Sequence, residues 1–417
     1  DFYTSTIDTP LYGAGQGSTN GPFFWLLMFS IIMKAMDKTL RGLAFISAFT
    51  LQKVERFGDA FVDDSHFGVT SRHVDDPLLS FEDNIAQHER QCLEDMLKLG
   101  QHYERLLYST GGALNIPKCS WTFITWRWHH GDAVMATIAQ APAELAFTSG
   151  HSQTLQRVPR LEASTGYRTL GCFISGGGTM TKAKSILRGH SESHAINIRD
   201  ANLRPDEAYT AYTMFFLPKI KFSLPISIFT QVECRNIQAP ALMATLPLMR
   251  LNRHSARSII NGPHKYGGLM LPDTYAEQGL GQLKLLLGHL RVGDQTGQLI
   301  LVAMSYLQLI IGSTIPFFQL PYDQYAKWIE KSWLTSIWQF IHVTKLQIGV
   351  RRHYTPKLTR VHDSCLMSIF LLLKFKPREL ALLNQCRIYH QVISISDIAK
   401  YDGTAIAGIY KTARKHS

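Results

Sequence analysis

Two adjacent carboxylates, Asp63 and Asp64, sit in the string Phe-Val-Asp-Asp-Ser-His-Phe-Gly-Val. A short apolar run, Ala60 to Val62, precedes them and an alternating segment, His66 to Val69, follows. That pattern predicts strand, tight turn, strand, with the acids at the hairpin tip. Like charges at a sheet edge repel, so the pair needs a cation between its members. A divalent metal meets that need and can activate a hydroxyl for attack on phosphorus. An Asp-Asp pair in a surface turn is ordinary by itself. The blocks on either side change its meaning.

Upstream lie Gly13, Gly15 and Gly17 around Gln16, then Ser18, then Pro22 opening an apolar helix from Phe23 to Met33. Glycines let a backbone approach a nucleotide or base pair closely, and Ser18 or Thr19 can cap the helix and aim its amides at a polyanion. Downstream, a helix leads to Gly111-Gly112 and then to Asn115-Ile116-Pro117-Lys118. The stretch Tyr167 to Ile174 follows, a short strand running into Gly176, Gly177 and Gly178.

In this order and at these gaps the four blocks resemble the palm of reverse transcriptases of the non-LTR retrotransposon type. Gln16-Gly17-Ser18 resembles the family's second palm motif, and Phe61-Val62-Asp63-Asp64 its catalytic aromatic-x-Asp-Asp box. Asn115 to Lys118 is similar to the motif carrying the lysine near the triphosphate, and Tyr167 to Ile174 to the primer-grip hairpin. Asn252 to Pro272 and the segment after it resemble the region that follows the polymerase in such elements. The likeness covers about 1–290 and is most specific over 13–22 and 57–70.

The resemblance implies template-directed DNA synthesis on RNA with two Mg²⁺ ions, for which Mn²⁺ can substitute. It places metal on Asp63 and Asp64, and the templating pair against Gln16, Gly17, Ser18 and Phe61. It puts Lys118 at the pyrophosphate leaving group. The implied partners are an RNA template, a DNA primer or target, and deoxynucleoside triphosphates, with no membrane. Two departures stand out. Gly15 occupies the place of the family's proline before Gln-Gly. The first palm motif, with the family's other metal-binding aspartate, belongs several tens of residues before Gly13, where only twelve precede it. The expectation is therefore an amino-terminally truncated fragment, without fingers and inactive as it stands. The alternatives are a retroelement-derived nucleic-acid binder without chemistry, or an RNA-directed RNA polymerase, whose box more often reads Gly-Asp-Asp.

The 417 residues suffice for one to three domains, and 45% hydrophobic with 18% charged content is a globular composition. Six cysteines without a CxxC pair argue against a zinc knuckle and against a disulfide framework. They suit a reducing compartment, nuclear or cytoplasmic. Of 43 basic and 32 acidic side chains, residues 325–417 hold 15 and 5, so they carry +10 of the net +11. Arg351, Arg352, Lys357, Lys374, Lys376 and Arg378 interleave there with Trp328, Trp333, Trp338, Phe340, Tyr354 and Tyr389. Cations among aromatic rings suit a nucleic-acid surface.

The expected fold is α+β. Residues 1–180 form a polymerase palm, a small antiparallel sheet backed by helices; 181–290 form a helical thumb-like region; 291–417 form a basic helical carboxy-terminal domain. Ser80 with Asp83 predicts the start of a helix that Gly111-Gly112 ends. Cys119 to Trp128 reads as one strand. The uncharged stretch 299–318 is long enough to span a membrane, but its Ser, Gln, Thr and Pro content favours a buried helix. His129-His130 reads as a polar strand end, since neighbours on a strand face opposite ways. Asp75-Asp76 before Pro77 reads as a solvated turn. No ribonuclease H set of carboxylates and no Ser-His-Asp arrangement emerges.

Overall fold

The computed structural model describes residues 21–39, 42–61, 64–130, 132–152, 154–351, 355–358, 360–402 and 404–406. The protein is α+β. Its chain divides into two compact units, one of residues 1–44, 55–170 and 174–179, the other of 45–54, 171–173 and 180–417. Among the described residues twelve short strands occur: β1 Leu43–Ile46, β2 Lys53–Arg56, β3 Gly58–Phe61, β4 Asp64–Phe67, β5 Trp121–Thr122, β6 Trp126–His129, β7 Asp132–Met135, β8 Ala146–Phe147, β9 Gln156–Arg157, β10 Arg160–Leu161, β11 Tyr167–Thr169 and β12 Cys172–Ile174.

In the first unit, helix α1 (Gly21–Thr39) buries Phe29, Ile32 and Met36. Those positions, three and four apart, make one helical stripe. It packs with Leu99, Tyr103 and Leu107 of α2 (Phe81–Ser109), and Phe57 and Phe67 join the same cluster. Helix α2 begins as expected. The Ser80 hydroxyl accepts the Asp83 amide at 3.1 Å and donates to Asp83 Oδ2 at 2.7 Å, and Glu82 and Asp83 complement the positive helix end. It closes at Gly111, whose φ of 86° suits glycine after a helix.

The expected single antiparallel sheet is instead a set of separate two-stranded ladders among the described residues. Strands β3–β4, β6–β7 and β8–β9 pair antiparallel, whereas β5 and β10 run parallel with Arg160 opposite Trp121. Cys119 to Trp128 holds two strands, β5 and β6, with Phe123 to Thr125 in neither and Thr125 bonded on two sides. Its hydroxyl donates to Glu89 Oε1 of α2 at 2.7 Å while its carbonyl accepts the Ala136 amide at 2.9 Å.

The second unit is helical: α3 Thr181–Arg199, α4 Pro205–Thr210, a π-helical stretch Ala211–Phe216, α5 Leu217–Lys221, α6 Gln231–Leu248, α7 Arg257–Asn261, α8 Thr274–Val292, α9 Gln295–Ile311, α10 Tyr322–Tyr325, α11 Trp333–Thr344, α12 Leu366–Leu372, α13 Pro377–Tyr389 and α14 Ile395–Ile398. Buried glutamines fix its loops. Gln278 both accepts from and donates to the Phe229 backbone (3.1 and 2.9 Å), and Gln308 holds the backbone at Ser313, Ile315 and Phe317. Helix α9, which runs through Ile311 of the uncharged stretch, buries Val302, Met304, Leu307 and Ile311. No described helix is long and apolar enough to cross a membrane. The last carbonyls of α9 are satisfied from far along the chain: Arg387, 2% exposed, donates to Leu309 O and to Ile310 O (2.8 Å) and Val392 O (3.0 Å). Gly312, at φ 67°, lies so close that a Cβ there would stand 2.7 Å from the guanidinium carbon.

Candidate active site

Strands β3 and β4 form the hairpin that carries the acidic pair. Gly58 faces Phe67, Asp59 faces His66, Ala60 faces Ser65, and Phe61 faces Asp64, which leaves a two-residue connection. Val62, Asp63 and the Phe61 side chain lie outside the described residues, as do Gln16, Gly17 and Ser18. Asp64 opens β4 with an exposed side chain.

A two-stranded ribbon is marginally stable by itself and needs a packed face. Here α2 supplies it. The Phe67 ring lies 4.7 Å from Tyr103 and 5.3 Å from Phe57, and the Ser65 hydroxyl donates to the Tyr103 hydroxyl at 3.1 Å. Burial and a coulombic push from Cys119 raise the Tyr103 phenol, while the bond from Ser65 opposes them. Phe67 and Ser65, two apart, share the face turned to α2. Asp64 and His66 therefore share the opposite face.

On that opposite face His66 Nε2 lies 2.7 Å from the Thr169 hydroxyl, and its ring is 6.4 Å from Tyr167. Strand β11 thus stands beside strand β4 at this contact. Nothing in the sequence around His66 marked this contact, which joins residues 103 positions apart.

Lys118 is exposed at the end of a 3-10 turn, Ile116–Lys118, whose amide donates to Asn115 O at 2.8 Å. Ile116, 2% exposed, anchors the turn in a cluster with Trp121, Leu145, Phe147 and Val158. Met96 and Leu114 border both this cluster and the one under the hairpin. One helix therefore organises the acidic hairpin and the lysine turn.

The acids of the described residues near the hairpin differ in availability. Asp59 is held by the Arg56 guanidinium, Nε to Oδ1 at 3.0 Å, whereas Asp64 is turned to solvent. Mg²⁺ keeps several waters and is bound through one or two carboxylates plus phosphate oxygens, so an exposed carboxylate beside another in sequence fits it. Among the described residues, no three His, Cys, Asp or Glu side chains gather as a metal cage.

Elsewhere the structure differs from the sequence reading. Asp75-Asp76 lies at an exposed turn as expected, the Asp75 side chain being 77% exposed, yet the loop leading into it is tied to α2. Asn84, His88 and Gln91 on one face of α2 strap the 71–76 loop down. Asn84 accepts the Asp76 amide at 2.8 Å, His88 Nε2 lies 2.9 Å from Asp75, and Gln91 Oε1 accepts from Ser71 Oγ and the Arg72 amide, both at 2.8 Å. His88 Nδ1 is 2.7 Å from Ser71 Oγ, so a Ser71-His88-Asp75 chain exists. The Ser71 oxygen also accepts the His73 amide at 3.1 Å. Its hydrogen-bonding capacity is spent on holding the loop, and that makes it a clamp. His129 and His130 do not point apart either. Their rings are 4.2 Å apart, because His130 turns out of the strand at φ 51°.

The tryptophans of the basic region are not a stacking platform. Trp338 is wholly buried and donates to Leu320 O at 2.8 Å; Trp333 donates to Pro225 O at 2.8 Å; Phe340 is 3% exposed; Trp328 packs against the same core. Tyr389 is exposed, and Arg352 and Tyr354 lie outside the described residues. Helical spacing in an apolar stretch favours core over stacking. No family model matches the chain, and no curated protein or solved structure matches it significantly.

Proposed function

We propose that the protein is the palm-bearing part of an RNA-directed DNA polymerase of retrotransposon type. The observation that supports this most is the 2.7 Å approach of His66 to Thr169, which brings the primer-grip-like strand to the open face of the Asp64 hairpin. The same unit holds the Lys118 turn on the same helix.

In this reading Asp63 and Asp64 hold Mg²⁺, which supplies charge stabilisation for the attacking and leaving oxygens of phosphoryl transfer. Tyr103 and Phe67 fix the hairpin's height above α2, so the acid pair is presented on a braced support. His66 and Thr169 set the primer strand's position relative to Asp64. Lys118, exposed and compact in charge, meets the pyrophosphate. Gln16, Gly17 and Ser18 line the templating pair.

Primer extension on an RNA template, with the longest protein its gene encodes, tests the proposal. Extension should require Mg²⁺ and deoxynucleotides, and Asp64→Asn should abolish it while leaving the unfolding midpoint unchanged. Extension that survives Asp64→Asn, or that uses ribonucleotides alone, would overturn the reading. Nucleic-acid binding with no extension at any length would favour the non-catalytic alternative.

A further inference from the structure

The turn between α12 and α13 exposes large apolar side chains among cations. Leu372 is 79% exposed, Leu373 62% and Phe375 38%, with Lys374, Lys376 and Arg378 exposed between and beside them. Arg378 and Leu382, four apart on α13, extend the same mixed character, and Leu382 is 61% exposed. Two consecutive leucines left in water forgo stabilisation that burial would give, so a patch of this kind marks a surface built to be covered.

The backbone holds the turn firmly. Lys374 takes the left-handed conformation (φ 53°), which non-glycine residues adopt at a cost. Its amide donates to Leu371 O at 3.3 Å, and that of Leu373 to Ile369 O at 3.0 Å. On the far side Pro377 opens α13, and Glu379 Oε2 accepts the Lys376 amide at 2.9 Å. The one acid of the turn is thereby engaged in capping, and the cations face solvent without a local carboxylate to spare. The region's +10 charge adds to the same sign.

We infer that this turn docks on a nucleic-acid duplex, with Lys374, Lys376 and Arg378 on phosphates and Leu372 and Leu373 wedged against a base step. Apolar wedges flanked by cations unstack and bend duplexes from the minor groove. The tryptophans of the basic region are packed into the core, whereas these leucines are exposed beside the charge. The inference rests on the nucleic-acid reading above and adds where the duplex sits and that it is deformed.

The test uses the full chain and a DNA duplex bearing 2-aminopurine, titrated at several salt concentrations. Wild type should bind with a strong salt slope and raise the fluorescence as the base unstacks. The triple Lys374→Ala, Lys376→Ala, Arg378→Ala variant should flatten the slope by about 2.7, near 0.9 for each lost phosphate contact. Leu372→Ser with Leu373→Ser should keep the slope and lose the fluorescence rise. All five side chains are exposed, so circular dichroism should show unchanged folding. An unchanged slope in the triple variant, or no duplex binding near physiological ionic strength, overturns the inference. So does tighter association with phosphatidylserine vesicles that the leucine changes abolish, which would make the surface a lipid contact. Primer extension by the longest protein the gene encodes, scored separately, tells failure of this surface from failure of the polymerase reading.

Discussion

Replacing Tyr103 should loosen the Asp64 hairpin before it unfolds the protein. The side chain is 5% exposed, meets Phe67 at 4.7 Å, and accepts the Ser65 hydroxyl. Tyr103→Phe removes one hydrogen bond, worth about 0.5–1.5 kcal/mol. Tyr103→Ala removes the ring as well and leaves a cavity, a change that costs about 3–5 kcal/mol for aromatic residues. Every 1.4 kcal/mol is roughly tenfold in an equilibrium. If the loss falls on local opening, amides of β3 and β4 should therefore exchange with deuterium between about a hundredfold and a few thousandfold faster in Tyr103→Ala. Tyr103→Phe should show less than about tenfold. Exchange measured by mass spectrometry on peptides covering 57–69 reads this directly, with peptides of α3 as the internal reference. Hairpin exchange unchanged in Tyr103→Ala would mean that α2 does not support the hairpin, and the positioning argument would fail with it.

Arg387→Met should lower stability by about 3 kcal/mol in urea unfolding, because Leu309 O, Val392 O and Asn384 Oδ1 lose their donor at about 1 kcal/mol or more each, while Ile310 O keeps the Asn384 amide; a loss under about 1 kcal/mol would show that water replaces the guanidinium. Burial lowers the Arg387 pKa to about 10, still above the range in which proteins work, so this loss should be flat from pH 6 to 8. His194 should give the opposite behaviour. Burial, then the charge of Lys219, holds its imidazole below the ordinary value, and its Nε2 is buried without a partner. Its neutral form suits the fold, so stability is full above the unfolded histidine value near 6.5 and falls as pH drops below it. His194→Phe, next to Phe216 and Tyr212, should remove that loss, and equal slopes of melting temperature between pH 7 and 5 would refute it.

What the sequence disclosed were features encoded locally. The 58–67 hairpin follows from alternation around two residues, and α2 from a cap at one end and a glycine at the other. The helical character of 181–290 and the burial of α9 follow from periodicity and from polar residues within an apolar run. What stayed hidden depends on partners far away in sequence. His66 meets Thr169 across 103 positions, and no period in either segment encodes that. Trp333 and Trp338 look alike to a basic groove or to a core, and only Pro225 O and Leu320 O settle which. The strand at Cys119 to Trp128 is interrupted over Phe123 to Thr125, where the Thr125 hydroxyl meets Glu89 on a helix. Asp75 is ordinary in sequence and becomes a clamp partner only because α2 brings His88 to it.

The cap on α9 has a consequence for biosynthesis. Leu309 leaves the ribosome 78 residues before Arg387 does. At about 5–20 residues per second, the interval is roughly 4–16 s. Throughout it, an apolar helix waits with its final carbonyls unmatched, far longer than the microseconds in which helices form. Nascent chains at that stage are natural clients for holding chaperones, and ribosomes stalled before codon 387 should yield products that aggregate while completed chains do not.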